Sequence, residues 1–311
     1  MIMDSRKILI IGHQGQVGWE LRRTLASLGA VAAVDQPDIE LAGADSIRRV
    51  IRGHQPQLIV NAAAYTAVDQ AEDEPELAMQ INGIAPAVMA EEAKRLGAAL
   101  VSYSTDYVFD GAKADGYGED DAPHPLNVYG RSKLAGDQGI AAAGGGYLIF
   151  RTSWVYGSRG RNFLLTMLKL GAERAELKVV DDQIGAPTWS RTIAEITAQV
   201  VALLLSPAGL SRVRPSLAET FAERGGLYNL TSAGSTSWYG FAQRILSRRA
   251  SRAGGKCAKL LPIPSSHYAV KARRPANSVL NNRKLNETFG LRPPAWEHSL
   301  ELVMDEVELR G

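Results

Sequence analysis

Short apolar runs alternate with helical patterns along the first half of the chain. The runs that predict buried strands lie at residues 7–11, 31–34, 57–60, 99–104 and 147–151. Apolar positions spaced three and four residues apart predict helices at residues 19–28, 46–53 and 76–96. Strands that alternate with helices form a parallel sheet covered on both faces. The pattern predicts an α/β fold, a doubly wound sheet of the Rossmann type, with its ligand at the carboxyl ends of the strands.

The second half of the chain is less regular. It predicts a helix at 192–205, a strand at 227–230 and a terminal amphipathic helix at 296–309, whereas the proline-containing stretch 256–282 predicts loops. Alanine and glycine at 141–146 predict a flexible loop. We expect a dinucleotide-binding domain at 1–152 with elements returning near 189–232. A smaller substrate-binding lobe is expected at 153–188 and 233–311.

Composition narrows the class of protein. The 311 residues are 45% apolar and 22% charged with a formal net charge of +2, which is typical of a soluble globular protein. The short basic cluster Arg248, Arg249 and Arg252 is interpreted as a solvated helix end, so no nucleic-acid partner is expected. A single cysteine, Cys257, cannot form an internal disulfide. No run approaches a membrane span or a signal peptide, and we expect a cytoplasmic protein.

Three glycines, Gly12, Gly15 and Gly18, stand between the first predicted strand and the first predicted helix. Glycine there permits a tight turn and a close approach of the backbone to a pyrophosphate, which the helix N-terminus attracts. The G-x-x-G-x-x-G spacing favours the short-chain reductases. Asp35 ends the second strand, where a carboxylate can accept hydrogen bonds from the adenosine ribose. Its charge would repel the 2′-phosphate of NADPH, so NADH is the favoured cofactor.

The strongest chemical signal is the pair Tyr129 and Lys133. Residues four apart share one face of a helix. A phenol titrates near pH 10, and a nearby ammonium lowers its pKa, so the pair predicts a general acid. Thr105 ends the strand at 99–104 and predicts a second hydroxyl donor for a developing alkoxide. Trp154 follows another strand end and is interpreted either as a core residue or as a surface for a sugar ring.

Together these motifs resemble the dTDP-4-dehydrorhamnose reductases, extended members of the short-chain dehydrogenase/reductase superfamily. The resemblance covers nearly the whole chain, at residues 15–18, 61–69, 104–109, 127–130, 151–156, 182–188 and 274–278. It implies hydride transfer from the nicotinamide to C4 of the keto sugar, with Tyr129 supplying the proton and Lys133 holding the nicotinamide ribose. Thr105 is implied as the third catalytic hydroxyl.

The resemblance also implies the ligand contacts. With the glycine loop, the implied cofactor residues are Gly12, Gly15, Gln16, Val17, Gly18, Asp35, Ala64, Tyr65, Thr66, Tyr103, Tyr129 and Lys133. The implied substrate residues are Thr105, Asp106 and Trp154, with Arg274 and Asn277 from the lobe. Arginine suits a pyrophosphate because its planar fork pairs with phosphate oxygens.

Two other functions remain open at this point. Another sugar-nucleotide enzyme, an epimerase or dehydratase, would share the fold and the Tyr–Lys pair but recycle its cofactor. The second alternative is the regulatory subunit of methionine adenosyltransferase, which is similar to this family but acts as a binding partner rather than an enzyme. Retention of Thr105, Tyr129 and Lys133 together favours an enzyme.

One departure concerns the metal. Some members of the family form a homodimer across Mg²⁺ held by glutamates, and the matching positions here are Glu20, Arg191 and Glu297. A guanidinium cannot ligate Mg²⁺. Arg191 is predicted either to bridge Glu20 and Glu297 or to face solvent. No metal site is expected, since the five histidines show no ligand spacing either. We therefore expect a metal-independent homodimer or a monomer.

Overall fold

The computed structural model describes residues 6–206, 215–253 and 258–309. The strands of this part are β1 (Lys7–Ile11), β2 (Ala30–Val34), β3 (Leu58–Asn61), β4 (Ala99–Thr105), β5 (Tyr147–Thr152), β6 (Val155–Tyr156), β7 (Glu176–Val180), β8 (Ile184–Gly185), β9 (Thr188–Trp189), β10 (Gly226–Asn229), β11 (Thr236–Ser237) and β12 (Lys259–Ile263). Six of them form one parallel sheet in the order β10-β5-β4-β3-β1-β2. The predicted doubly wound α/β fold is confirmed.

Helices cover this sheet and pack against the shorter strands outside it. They are α1 (Gln16–Thr24), α2 (Ala44–His54), α3 (Pro75–Met79), α4 (Ala85–Leu96), α5 (Val128–Ala143), α6 (Phe163–Glu173), α7 (Ser190–Leu205), α8 (Leu217–Arg224), α9 (Trp238–Ala253), α10 (Arg283–Phe289) and α11 (Trp296–Glu308). A π-helical stretch, Gln80–Ile84, joins α3 to α4 within the single helix predicted at 76–96.

Alternate side chains of each strand supply two separate cores. In β1, Ile8 and Ile10 belong to the core under α1, α7 and α8, whereas Leu9 and Ile11 belong to the core under α2, α4 and α5. Successive side chains of a strand point to opposite faces. Both faces of this sheet are therefore buried, which explains why the strands are continuous apolar runs. Each such side chain contributes roughly 1.5–3 kcal/mol by leaving water.

A third core lies outside the six-stranded sheet, where Tyr156, Leu164, Phe241 and Leu300 pack between α6, α9 and α11. These elements form a lobe. The lobe also contains the parallel pair β7–β12. The stretch 256–282, predicted to be rich in loops, therefore also contains a strand, β12, which the sequence did not predict. A two-stranded pair leaves β12 at an edge, where Pro262 is tolerated because its missing N–H need not donate to a further strand. The proposed division of the chain into domains stays a prediction.

Two further expectations are corrected by local packing. Helix α5 continues through Ala143 into the predicted loop at 141–146 and ends at Gly144, whose φ is +66°. Alanine has the highest helix propensity, and glycine adopts the left-handed cap. Arg248 is not a solvated residue, because it pairs with Glu301 and Asp305 and its side chain is only 10% exposed.

Cys257 lies outside the described residues. Among the residues that the structure does describe, no helix is long and apolar enough to cross a membrane.

Candidate active site

The first turn of α5 is pressed against the end of β4. A Cβ at Gly130 would lie 2.2 Å from the carbonyl oxygen of Tyr107, so only glycine allows this approach. Asn127 caps the helix by accepting a 2.7 Å hydrogen bond from the Gly130 amide, and its own amide donates to the carbonyl of Arg273. The cap thus joins α5 to the lobe and aims the next residues, Tyr129 and Lys133, at the carboxyl edge of the sheet.

Tyr129 stands among polar groups at this edge. Its ring meets that of Tyr107 edge to face, with centroids 5.9 Å apart. Burial raises the pKa of Tyr129 to about 12, and a side-chain hydrogen bond with Thr105 opposes the rise. The expectation that Lys133 lowers this pKa finds no support in the structure, because the ammonium donates instead to the carbonyl of Tyr103 at 2.6 Å. A phenol with a raised pKa stays protonated at neutral pH and is ready to act as an acid.

Behind Lys133 lies a buried charge network that sequence reasoning missed. Burial lowers the pKa of Lys133, and the carboxylate of Asp137 opposes that effect. Asp137 accepts a 2.8 Å hydrogen bond from Ser104 and lies 3.4 Å from the guanidinium of Arg151. Asp137 was detectable, because it continues the four-residue spacing of Tyr129 and Lys133 along one helix face. Arg151 was not, because it comes from another strand.

Asp106 follows Thr105 and is 2% exposed. Its Oδ1 accepts a 2.9 Å hydrogen bond from the Thr105 hydroxyl, whereas its Oδ2 is buried and has no hydrogen-bond partner among the described residues. Burial raises the pKa of Asp106 to about 7, while Ser278 and Thr105 act to lower it. A buried acceptor without a partner costs free energy unless a ligand supplies one. Asp106 thus fits a substrate-facing position.

The glycine loop and α1 form a second part of the site. Gly12 has a φ of +85°, and a Cβ at Gly18 would lie 2.1 Å from the Gly12 carbonyl oxygen, so the fold itself requires both residues. A Cβ at Gly15 would meet only that same oxygen, at 3.4 Å. No side chain caps the N-terminus of α1. The open space at Gly15 and the uncapped amides of Gln16 and Val17 fit an anionic pyrophosphate.

Asp35 holds this loop against the end of β2. Its carboxylate accepts hydrogen bonds from the amides of Gln14 at 2.9 Å and Gln36 at 3.0 Å. Each carboxylate oxygen retains capacity for a further donor, such as a ribose hydroxyl. The residues after Asp35 include Asp38 and no basic side chain before Arg48.

The remaining expected cofactor residues lie at the next two strand ends. Ala64 and Tyr65 are partly buried after β3, and Thr66 is exposed. Asn82 fixes this turn by accepting from the Tyr65 amide and donating to the Tyr65 carbonyl. The side chain of Tyr103 is bonded to Thr197, so only its main chain reaches Lys133. Direct cofactor contacts at these positions stay predictions.

A cavity of about 510 Å³ opens in the lobe and reaches Arg274. Arg274 pairs with Asp69 at 2.8 Å, while its second terminal nitrogen is buried without a hydrogen-bond partner among the described residues. Three further side chains of the cavity were missed from the sequence: Lys178, Trp238 and Arg273. They come from distant segments whose convergence depends on the β7–β12 pairing. Cations beside an aromatic ring can hold a diphosphate and a base.

Two expected substrate residues are engaged within the protein. Trp154 has a φ of +45°, and its ring stacks on Trp238 with centroids 3.5 Å apart. Asn277 donates to the carbonyls of Lys113 and Ala114 and accepts from the Val279 amide. Their contacts with substrate stay predictions.

Arg191 forms an ion-pair cluster outside the site. It contacts both carboxylate oxygens of Glu20, at 3.1 and 3.2 Å, and also pairs with Glu306. The predicted contact with Glu20 is confirmed, but Glu297 is the wrong second partner. Glu297 and Glu306 are nine residues apart, which places them on opposite faces of α11. Among the described residues, no group of three or more His, Cys, Asp or Glu could hold a metal ion.

The sheet order, the glycine loop and the Tyr129–Lys133 pair define the class of short-chain dehydrogenases/reductases. Within it, the chain belongs to the family described as the RmlD substrate binding domain, whose model matches residues 6–309.

Known relatives agree over nearly full length. A dTDP-4-dehydrorhamnose reductase of Burkholderia thailandensis is 46% identical over 97% of this chain and 99% of its own. That of Escherichia coli K12 is 42% identical over 96% of this chain and 97% of its own. The dTDP-4-dehydrorhamnose reductase of Bacillus anthracis, whose crystal structure was determined in complex with NADP, is 34% identical in sequence to this chain. The match covers 97% of this chain and 99% of the relative, with a TM-score of 0.85.

Proposed function

We propose that the protein reduces the C4 keto group of dTDP-4-dehydro-L-rhamnose to give dTDP-L-rhamnose, the last step of dTDP-L-rhamnose synthesis. The observation that carries the proposal is the convergence of Thr105, Tyr129 and Lys133 at one edge of the sheet. The chain is also 46% identical, over 97% of its length, to a relative named for this activity. We place the reaction in the cytoplasm, where nucleotide sugars and nicotinamide cofactors are available.

The residues of this chain account for the proton and the charge of the reaction. A reduced nicotinamide supplies hydride to C4 when bound. Tyr129 donates its proton to the carbonyl oxygen, and the hydroxyl of Thr105 stabilises the negative charge that develops there. Lys133 is buried and anchored to the Tyr103 carbonyl. Its two remaining N–H donors can reach the ribose of the cofactor and fix its position.

The nucleotide is assigned to the cavity in the lobe. Its cations, Lys178, Arg273 and Arg274, suit the two negative charges of a diphosphate. Trp238 offers an aromatic surface to a base. Arg274 lies at the end of the cavity next to Tyr107, whose ring contacts Tyr129. A nucleotide sugar held there can extend its sugar toward the proposed acid.

For the cofactor we propose NADH over NADPH. Asp35 places a negative charge at the end of β2, and the nearby Asp38 adds a second one. The 2′-phosphate of NADPH would be repelled there. The Bacillus anthracis relative was crystallised with NADP, so a test must compare both cofactors.

The experiment follows absorbance at 340 nm with purified protein and each reduced cofactor. The three arms contain dTDP-4-dehydrorhamnose, its UDP analogue, or no sugar. We expect oxidation in proportion to the dTDP-sugar added, with little in the other arms. Product formed without net oxidation would indicate an epimerase or dehydratase. Absence of turnover, with copurification of a synthetase, would instead support the regulatory-subunit alternative. A homodimer that needs no metal stays a further proposal, tested below.

A further inference from the structure

Asp106 is an acid in the site that the proposed reduction does not use. It is 2% exposed, follows directly on Thr105 and accepts a 2.9 Å hydrogen bond from the Thr105 hydroxyl. The Thr105 hydroxyl oxygen also accepts a 3.1 Å hydrogen bond from the Tyr107 amide. The same hydroxyl forms a hydrogen bond with the Tyr129 phenol. A continuous path of exchangeable hydrogens therefore runs from Asp106 through Thr105 to Tyr129.

We propose that Asp106 is the proton reservoir that returns a proton to Tyr129 through the Thr105 hydroxyl after each reduction. This inference rests on the proposed function, since it presupposes that Tyr129 gives its proton to the substrate. It assigns Asp106 a role beyond contact with the sugar. Asp106 acts on the reaction through Thr105 and Tyr129.

The proton balance of the relay closes. Before reduction, Tyr129 carries its phenolic proton and Asp106 is a neutral carboxylic acid. Hydride adds to C4, the carbon–oxygen π bond breaks, and the phenolic proton binds the oxygen, which leaves a phenolate. The Thr105 hydroxyl, which donates to Asp106 in the free protein, turns to the phenolate and gives it its proton, and Asp106 gives its own proton to the Thr105 oxygen. The cycle ends with Tyr129 neutral and Asp106 ionised, and water restores the Asp106 proton when the product leaves.

The surroundings of Asp106 suit this role. Tyr107 follows Asp106 in the same turn and interacts with both Asp106 and Arg274 of the lobe. Tyr129 of α5 also interacts with Asp106. Burial raises the pKa of Asp106 to about 7, and burial raises that of Tyr129 to about 12. Proton transfer from the carboxyl to the phenolate is therefore downhill.

Two charged side chains follow Tyr129 along α5. Lys133 and Asp137 interact with each other there, and both are buried. They can influence the phenol, but they do not interrupt the Asp106–Thr105 contact. The carboxyl can thus supply protons at neutral pH. Above pH about 7 it becomes ionised and has no proton to give.

Asp106→Asn tests the relay, because the amide keeps the size and hydrogen bonding of the carboxyl but has no acidic proton. We expect the first turnover, measured with enzyme in excess and with reduced cofactor and sugar saturating, to slow far less than later turnovers, since Tyr129 already carries its proton. Steady-state kcat should fall at least tenfold, a size in line with the 10²–10⁴-fold typical of acid–base catalysis. A role in structure or substrate binding alone would slow the first and later turnovers by the same factor.

The pH profile gives a second reading. Wild-type kcat should decline above pH about 7, where Asp106 loses its proton, and the Asp106→Asn profile should be flat there. Ser278 lowers the pKa of Asp106, so Ser278→Ala should move the declining limb to higher pH. This variant keeps the acid and serves if Asp106→Asn does not fold.

Three results would overturn the relay alone. The first is an equal loss of rate in the first and later turnovers of Asp106→Asn, and the second is an unchanged steady-state rate in that variant. The third is a decline of kcat above pH about 7 that neither variant alters. Failure of the wild type to oxidise cofactor with the dTDP-sugar would contradict the proposed function and the relay with it. The two failures are therefore distinguishable.

Discussion

Gly15 and Gly18 lie three residues apart, at the N-cap and in the first turn of α1, yet the structure assigns them different physical roles. A Cβ at Gly18 would lie 2.1 Å from the backbone oxygen of Gly12, which cannot move without breaking the turn. A Cβ at Gly15 meets only that oxygen, at 3.4 Å, and its φ of −66° and ψ of 166° suit alanine. Gly18→Ala should therefore harm the fold, whereas Gly15→Ala should harm only a ligand.

The magnitudes follow from these contacts. Overpacking costs about 1–3 kcal/mol, so Gly18→Ala should lower Tm by about 2–12 °C on the scale for domains of 150–250 residues. Gly15→Ala should change the free energy of unfolding by no more than about 1 kcal/mol, because alanine restricts the unfolded chain and so offsets any cost in the folded state. If a pyrophosphate occupies the space at Gly15, the methyl group should raise the cofactor Kd at least tenfold, or about 1.4 kcal/mol.

The assay combines thermal unfolding without ligand and titration of NADH and NADPH by tryptophan fluorescence. Gly53→Ala in α2 is the matched control, because nothing lies within 4 Å of its Cβ position. That control should bind cofactor normally. Wild-type affinity in Gly15→Ala would refute the assignment of the open space to the cofactor. An unchanged Tm in Gly18→Ala would refute the steric argument.

Tyr129→Phe should leave cofactor affinity nearly intact and lower kcat by about 10²–10⁴-fold, because it removes only the acid; retention of more than about a tenth of kcat would identify another acid. Lys133→Ala should weaken NADH binding and lower kcat together, as titration and steady-state kinetics can check, and an effect on rate alone would remove its ribose role. Asp35→Ala should shift the kcat/KM ratio toward NADPH; an unchanged ratio, or a wild-type preference for NADPH, would contradict the charge argument. Arg191→Ala should cost about 1–3 kcal/mol in chemical denaturation, because it leaves Glu20, whose side chain is 8% exposed, without its main partner. Sedimentation of the wild type should not respond to a chelator, and chelator-induced dissociation would contradict a metal-independent assembly.

The sequence alone determined the features that depend on neighbouring residues. The four-residue spacing of Tyr129 and Lys133 needs only one helix to place both on one face. The glycines lie where a strand turns into a helix, and these local elements suffice to form the turn. Continuous apolar runs predicted a sheet buried on both sides because both faces of such strands must be covered.

Only the tertiary structure decided features that join distant segments. Arg191 pairs with Glu306 rather than Glu297 because α11 turns the two glutamates to opposite faces. Strand β12 exists because β7 supplies its hydrogen bonds, although its own sequence contains Pro262. Trp154 stacks on Trp238, a residue 84 positions later, and this contact has no local signal.

The protonation of the site was likewise decided by packing. The identities of Asp106 and Tyr129 were plain from the chain, but their pKa values are raised by the surrounding protein, to about 7 and about 12. Burial acts on the charged form of a group and depends on every element packed around it. Residue type and spacing therefore identified the acid, whereas the three-dimensional enclosure determined which groups hold protons at neutral pH.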